Sequence, residues 1–201
     1  MSTLLPPTGA PLDVERVAHD ATATRPYLYR DGLKRVLDIL LVLFAAPAVI
    51  ALVIGIAPAI LRDGGPLFYR QTRVGRGGRL FQMIKLRSMV PDADRLLAEH
   101  LRTDAAARAE WERTQKLRHD PRITRAGRLI RATSMDELPQ LWNVLVGDMA
   151  LVGPRPMLPD QIALYPGASY YVLRPGITGY WQTSARNEAS FAQRADFDSR
   201  Y

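Results

Sequence analysis

The chain has 201 residues, 47% of them hydrophobic and 23% charged, with a net charge of +7. That is enough for one domain with a real core, and the composition is not that of a disordered chain. The basic surplus points to a polyanionic partner (nucleic acid, anionic lipid or a phosphorylated small molecule) without choosing among them. The lack of cysteine excludes disulfides, thiolate metal sites and a cysteine nucleophile. His19, His100 and His119 fall at no zinc-ligand spacing, and neither a G-x-S-x-G elbow nor a G-x-x-x-x-G-K-[ST] loop is present.

Residues 1–31 are rich in proline and polar residues and lack a charged segment followed by an apolar one. They read as a disordered tail rather than a signal peptide. From Ile39 to Leu61 there are 23 residues without a charge. As a straight helix they would reach about 35 Å, against a bilayer core of roughly 30 Å. Pro47, near the middle, removes a backbone donor and is expected to kink or break the helix. Both flanks are basic: Arg25, Arg30, Lys34 and Arg35 before, and Arg62, Arg70, Arg73, Arg76, Arg79, Lys85 and Arg87 after. Because cytoplasmic flanks carry the positive charge, a re-entrant hairpin over residues 32–62 that enters, breaks at Pro47 and returns is favoured. A true span comes next, and a buried soluble helix last. Asp38 needs a partner at the membrane edge, and Lys34 or Arg35 lies on the same helix face.

In "GPLFYRQTRVGRGGRLFQMIKLRSM" two β-prone runs flank "GRGG". This reads as a hairpin turning at Gly77 and Gly78 rather than as a nucleotide loop. Lys85 and Arg87 share a strand face, which suits a phosphate, a lipid headgroup or solvent. Pro91 to Arg118 reads as one charged helix with acids and bases in balance, supported by the pairs Asp104–Arg108 and Glu112–Lys116. The soluble part, residues 63–201, reads as one small α/β or α+β domain.

Near its middle stands "RATSMDELPQLWNVL". Ser134-x-x-Glu137 fits a capping box, and Asp136 alone would also cap a helix. Pro139 favours Asp136, because the proline then falls at the third helical position, where no bond is lost. A cap accounts for one acid, but not for the cations nearby: Arg125, Arg128 and Arg131 before, and Arg155 after. Arg155 sits between prolines in "GPRP", a stiff presenting loop. Acids beside arginines and lysines, without Cys or His ligands, suit phosphate chemistry with a hard cation such as Mg2+. A carboxylate can also attack phosphorus directly.

From about Lys34 to Tyr201 the chain resembles the bacterial sugar transferases, the monotopic phosphoglycosyl transferases acting on polyprenyl phosphate. The resemblance rests, in order, on "KRVLD", the Pro-interrupted apolar segment, "PLFYRQTRVGRGGRLFQMIKLRSM", "DPRITRAGRLIRATSMDELPQLWNVLVGDMALVGPRP" and "RPGITGYWQTSARN". It implies a small cytosolic domain with a re-entrant membrane helix, marked here by Asp38 and Pro47, and surface amphipathic helices. It also implies transfer of a sugar 1-phosphate from a nucleotide-diphosphate sugar, expected to be a UDP-sugar, to undecaprenyl phosphate. That step would initiate exopolysaccharide or other glycoconjugate synthesis at the cytoplasmic face of the bacterial inner membrane.

By the same resemblance Asp136 is the nucleophile that carries a covalent phosphosugar, and Glu137 is its catalytic neighbour and Mg2+ ligand. Arg131 and Arg155 match phosphate ligands, and Lys85 and Arg87 match the basic K-x-R strand. Gln182, Arg186 and Asp198 fall in later substrate-binding motifs. The partners implied are the nucleotide sugar, polyprenyl phosphate and membrane lipid, with no nucleic acid; a homodimer is left open. Family chains usually break the apolar segment a turn later, often after a serine where this chain has Ala46. They also continue past the position of Tyr201 with another apolar segment. The alternative expectation is therefore a catalytically impaired, membrane-anchored homologue acting as a scaffold.

Overall fold

The computed structural model describes residues 32–114, 117–179 and 191–199. The tail expected over residues 1–31 lies outside them, as do Gln182 and Arg186. The described chain is mixed helix and sheet. It opens with helix α1 (Lys34–Leu61), strand β1 (Phe68–Val74) and strand β2 (Leu80–Leu86). Helices α2 (Ala93–Thr103), α3 (Ala105–Thr114), α4 (Arg125–Ala132) and α5 (Gln140–Val146) follow. Strand β3 (Ala150–Val152), helix α6 (Ser169–Val172), strand β4 (Gly176–Thr178) and helix α7 (Phe191–Ser199) complete it. β1 pairs with β2, and β3 with β4, as two two-stranded sheets. The chain divides into two compact units: Met1–Val42, Gln71–Met83 and Trp142–Tyr201 form the first, and Leu43–Arg70 and Ile84–Leu141 the second.

Helix α1 runs as one element through both Pro47 and Pro58, where the sequence led us to expect a break at Pro47. A proline inside a helix in apolar surroundings is tolerated when its neighbourhood absorbs the lost bond. Among the described residues α1 is long and apolar enough to cross a membrane, by length and composition. Its side chains are mostly uncovered: Phe44 is 87% exposed and Ile54 66%. Its first turn is the polar one. Lys34 Nζ meets Asp38 Oδ2 at 3.0 Å. Arg35 turns instead to the carbonyls of Val144 and Leu145 at the end of α5, the latter at 2.9 Å.

In the first unit the core gathers Val74, Met157, Tyr165, Tyr170 and Tyr171. The three tyrosine rings meet edge to face with centroids 5.5–6.4 Å apart, the arrangement that aromatic quadrupoles favour. β3 and β4 are parallel, with Ala150 opposite Gly176 and Val152 opposite Thr178. Their glycines permit the approach: a Cβ on Gly176 would lie 2.1 Å from the Gly153 nitrogen.

In the second unit Ile60, Leu86 and Ile130 form the buried centre, with Val53, Ile56, Leu67, Ala126 and Met135 around them. The end of the apolar helix is therefore part of this core. The expected β1–β2 hairpin is present, and Gly77 and Gly78 take the left-handed conformations its turn needs (φ 67° and 75°). The charged helix expected over 91–118 is instead two helices. Asp104 separates them, its carboxylate accepting from Ala106 N and Ala107 N at 2.9 Å. As a cap it is no longer placed to pair with Arg108, whose guanidinium reaches the carbonyls of Leu101 and Arg102. Lys116 lies outside the described residues.

Candidate active site

The acids of "SMDELPQ" are placed by a short run of contacts in the second unit. Beyond β2 the chain pairs with Arg122–Thr124: Val90 N donates to Arg122 O (2.8 Å) and Thr124 N to Ser88 O (3.2 Å). Thr124 then caps α4, its hydroxyl accepting from Gly127 N at 2.9 Å. Gly127 lets α4 rest directly on the backbone, since a Cβ there would lie 1.9 Å from Ser88 O. α4 ends with Arg131 in its last turn. Ser134 reverses the chain in a left-handed conformation (φ 57°), which serine adopts only at a cost.

Met135–Glu137 follows as a single 3-10 turn. Glu137 N donates to Ser134 O at 3.1 Å and Leu138 N to Met135 O at 3.2 Å. This corrects the expected helix start. Ser134 makes no side-chain cap bond, so no capping box forms. Pro139 stands immediately before Gln140, the first residue of α5, where its missing N–H costs nothing. The two acids occupy their own turn between two helices.

That turn places the acids beside β2. Lys85 Nζ lies 2.8 Å from Glu137 Oε1 and 3.9 Å from Asp136 Oδ2. Burial pushes the Asp136 carboxyl above the ordinary carboxylate range, and the Glu137 charge pushes the same way. The cations of Lys85 and Arg131 and the residue's own backbone N–H oppose the rise. Burial raises the nearby Asp120 carboxyl, but the Arg122 hydrogen bonds (2.7 Å), with a smaller contribution from the Arg131 charge, hold it below its ordinary value, and Arg122 in turn covers the Trp111 ring at 5.2 Å. A half-buried carboxylate beside a lysine is poorly solvated, the kind of surroundings that can activate a nucleophile.

Arg87, two residues from Lys85, points elsewhere. Its three guanidinium nitrogens donate to Pro66 O (2.8 Å), Met89 O (3.1 Å) and Ile60 O (2.8 Å).

Arg155 and Asp198 belong to the first unit. The "GPRP" loop is stiff, as its prolines suggested. Gly153, Pro154, Pro156 and Met157 are buried, and Arg155 between them is exposed. Arg73 Nη1 grips Pro156 O at 2.9 Å. The Tyr170 hydroxyl accepts from Met157 N (3.1 Å) and donates to Val74 O. Asp198 is 9% exposed and accepts from the Tyr165 hydroxyl at 2.8 Å. Burial pushes its pKa up to about 6, against the Tyr165 hydrogen bond and the Arg194 charge. Burial and the Arg155 charge in turn lower the pKa of Arg194. No residue pattern pointed to the tyrosine cluster or to the contacts of Arg73 and Arg194. "LYPGASYY" carries no catalytic pattern, and only its density of aromatics hinted at a core.

Among the described residues no three His, Asp or Glu side chains converge as a metal cage. Asp136 and Glu137 do form a carboxylate pair of the kind Mg2+ uses together with substrate phosphates and water. The donor set therefore fits a cation brought in with a diphosphate.

Residues 29–201 match the family described as bacterial sugar transferase, and the chain belongs to that family. Its relatives include the UDP-galactose-lipid carrier transferase of Erwinia amylovora, 47% identical over 175 residues. The undecaprenyl-phosphate galactose phosphotransferase of Salmonella typhimurium is 49% identical over 175 residues. Each alignment covers 84% of this chain and 36% of the relative. The exopolysaccharide production protein ExoY of Sinorhizobium fredii is 43% identical over 173 residues, covering 84% of this chain and 76% of that protein. This chain therefore spans little more than a third of the length of the first two relatives.

Proposed function

We propose that the chain transfers a sugar 1-phosphate from a nucleotide-diphosphate sugar, a UDP-sugar, to undecaprenyl phosphate. The observation that carries this reading is the Asp136–Glu137 pair against Lys85, in a member of a family whose relatives bear the names of lipid-carrier sugar transferases.

In the proposed reaction an Asp136 carboxylate oxygen attacks the phosphorus bonded to the sugar. The bond from that phosphorus to the bridging pyrophosphate oxygen breaks, and nucleoside monophosphate leaves. A polyprenyl phosphate oxygen then attacks the same phosphorus, and Asp136 is released unchanged. A covalent intermediate lets one site serve a soluble donor and a lipid acceptor in turn. Lys85 steadies the carboxylates, and its charge, with that of Arg131, favours a diphosphate at this turn. Arg155 is the further phosphate ligand of this reading, with Gln182, Arg186 and Asp198 as substrate contacts. Glu137, with Asp136 beside it, would hold Mg2+. When bound, the cation neutralises charge on the diphosphate.

We further propose that α1 is a re-entrant anchor in the cytoplasmic leaflet of the inner membrane. Three features support this: its uncovered apolar surface, basic residues on both flanks, and Pro47, where the otherwise continuous helix lacks a backbone donor and can bend. The test of the reaction is incubation in detergent with UDP-sugars, undecaprenyl phosphate and Mg2+. Release of UMP that depends on the lipid acceptor is expected. A folded chain that releases none overturns the proposal.

A further inference from the structure

The K-x-R pattern of β2 offered Lys85 and Arg87 as a pair of phosphate ligands, but only Lys85 faces the acids. Arg87 is 8% exposed. Each of its guanidinium nitrogens already has a carbonyl acceptor: Nε on Pro66, Nη1 on Met89 and Nη2 on Ile60. A phosphate arriving there would have to displace all three bonds, and the one to Ile60 O is buried, so that carbonyl would be left unpaired. The three carbonyls come from three different elements of the chain. Ile60 lies in the last turn of α1, where helix carbonyls lack intrahelical partners and carry the negative end of the dipole. Pro66 ends the loop that leaves the helix, and Met89 lies just past β2.

The loop is shaped to this side chain. Gly64 and Gly65 take left-handed conformations (φ 73° and 79°), which fold "RDGGP" back. A Cβ on Gly65 would lie 3.2 Å from Pro91 Cγ and 3.6 Å from Arg87 Cζ. Arg87 N donates to Leu67 O at 2.9 Å, so main chain and side chain of one residue fasten the same loop. Two residues earlier on the same strand, Lys85 holds Glu137 and approaches Asp136.

We infer that Arg87 is a positioning residue: its guanidinium fastens the C-terminal turn of the membrane helix to the strand carrying Lys85, and so sets Lys85 against Asp136 and Glu137. Arginine suits this role and lysine does not. The planar fork presents fixed donors in several directions, whereas an ammonium is a compact point charge. Only the kinetic part of the inference rests on the proposed transferase reaction.

The first test needs no variant and no turnover. The full chain in detergent is treated with an arginine-directed dicarbonyl reagent, and modification at each arginine is read by peptide mass spectrometry, with and without UDP-sugar. Arg87 is expected to stay unmodified under both conditions while exposed arginines outside the site, such as Arg79, react. Modification of Arg87 in the absence of UDP-sugar, with protection in its presence, would identify a phosphate ligand and overturn the inference.

The second test compares Arg87→Lys with Arg87→Gln. Misplacing catalytic groups by about 1 Å costs up to about 10²-fold. Both variants are therefore expected to lose about tenfold or more in kcat, with KM for the UDP-sugar nearly unchanged and faster amide exchange over residues 60–67. A raised KM with kcat kept, or rescue by lysine but not by glutamine, would overturn it. If the wild-type chain shows no turnover the proposed reaction fails, while the labelling and exchange measurements still decide the role of Arg87. If neither variant folds, the labelling experiment decides.

Discussion

Replacing Asp198 by asparagine gives a stability test whose sign and size follow from the structure. The carboxyl is 9% exposed and bound by the Tyr165 hydroxyl, and burial raises its pKa from 3.8 to about 6. A raised acid pKa means the fold favours the protonated form. This group's contribution is therefore fully present below the unfolded value of 3.8 and is lost as pH rises through about 6. A gap of about two units corresponds to about 3 kcal/mol, and solvent reaching the partly open site reduces that to about 2 kcal/mol. Asparagine keeps an acceptor for Tyr165 without the charge. Asp198→Asn is thus expected to be more stable at pH 8 by about 2 kcal/mol, or about 4–8 °C in melting temperature for a chain of this size. The two proteins should converge near about pH 4. Thermal unfolding in detergent across this range is the assay. A variant that melts at or below the wild-type temperature at pH 8, or whose difference does not change with pH, would refute the reasoning.

Two further outcomes test the acid turn. Lys85 lowers the Asp136 pKa against burial, so Lys85→Met should move the acid limb of the kcat/KM profile to higher pH while Lys85→Arg moves it less; an unmoved limb would separate Lys85 from the nucleophile. Gly127→Ala places a Cβ 1.9 Å from Ser88 O, and displacing that backbone should cost about 1–3 kcal/mol or more; wild-type melting would show that α4 does not rest on Ser88 as described.

The features legible in the sequence were those with local signals. The uncharged run of α1, the glycine turn of the hairpin and the rigid "GPRP" loop depend on composition or on residues a few positions apart. The acids were found by their motif, but their backbone was misplaced. The left-handed Ser134, which starts a separate 3-10 turn, has no sequence signature. Asp104 looked like a partner for Arg108 because an i,i+4 pattern does not distinguish a pair from a cap. The strand face of Arg87 beside Lys85 could be read, but the acceptors of its guanidinium could not. They are three backbone carbonyls, which no residue pattern encodes. The bonds of Tyr170 to Val74 and Met157 were hidden for the same reason.

The covalent step is the centre of the account, and it can be observed without the lipid. The purified chain is incubated in detergent with UDP-sugar and Mg2+ but no polyprenyl phosphate, and its intact mass and peptides are measured. An adduct of one sugar phosphate is expected on the peptide containing Asp136, released on adding undecaprenyl phosphate and absent from Asp136→Asn. Turnover that persists in Asp136→Asn, or an adduct on any other residue, would contradict it.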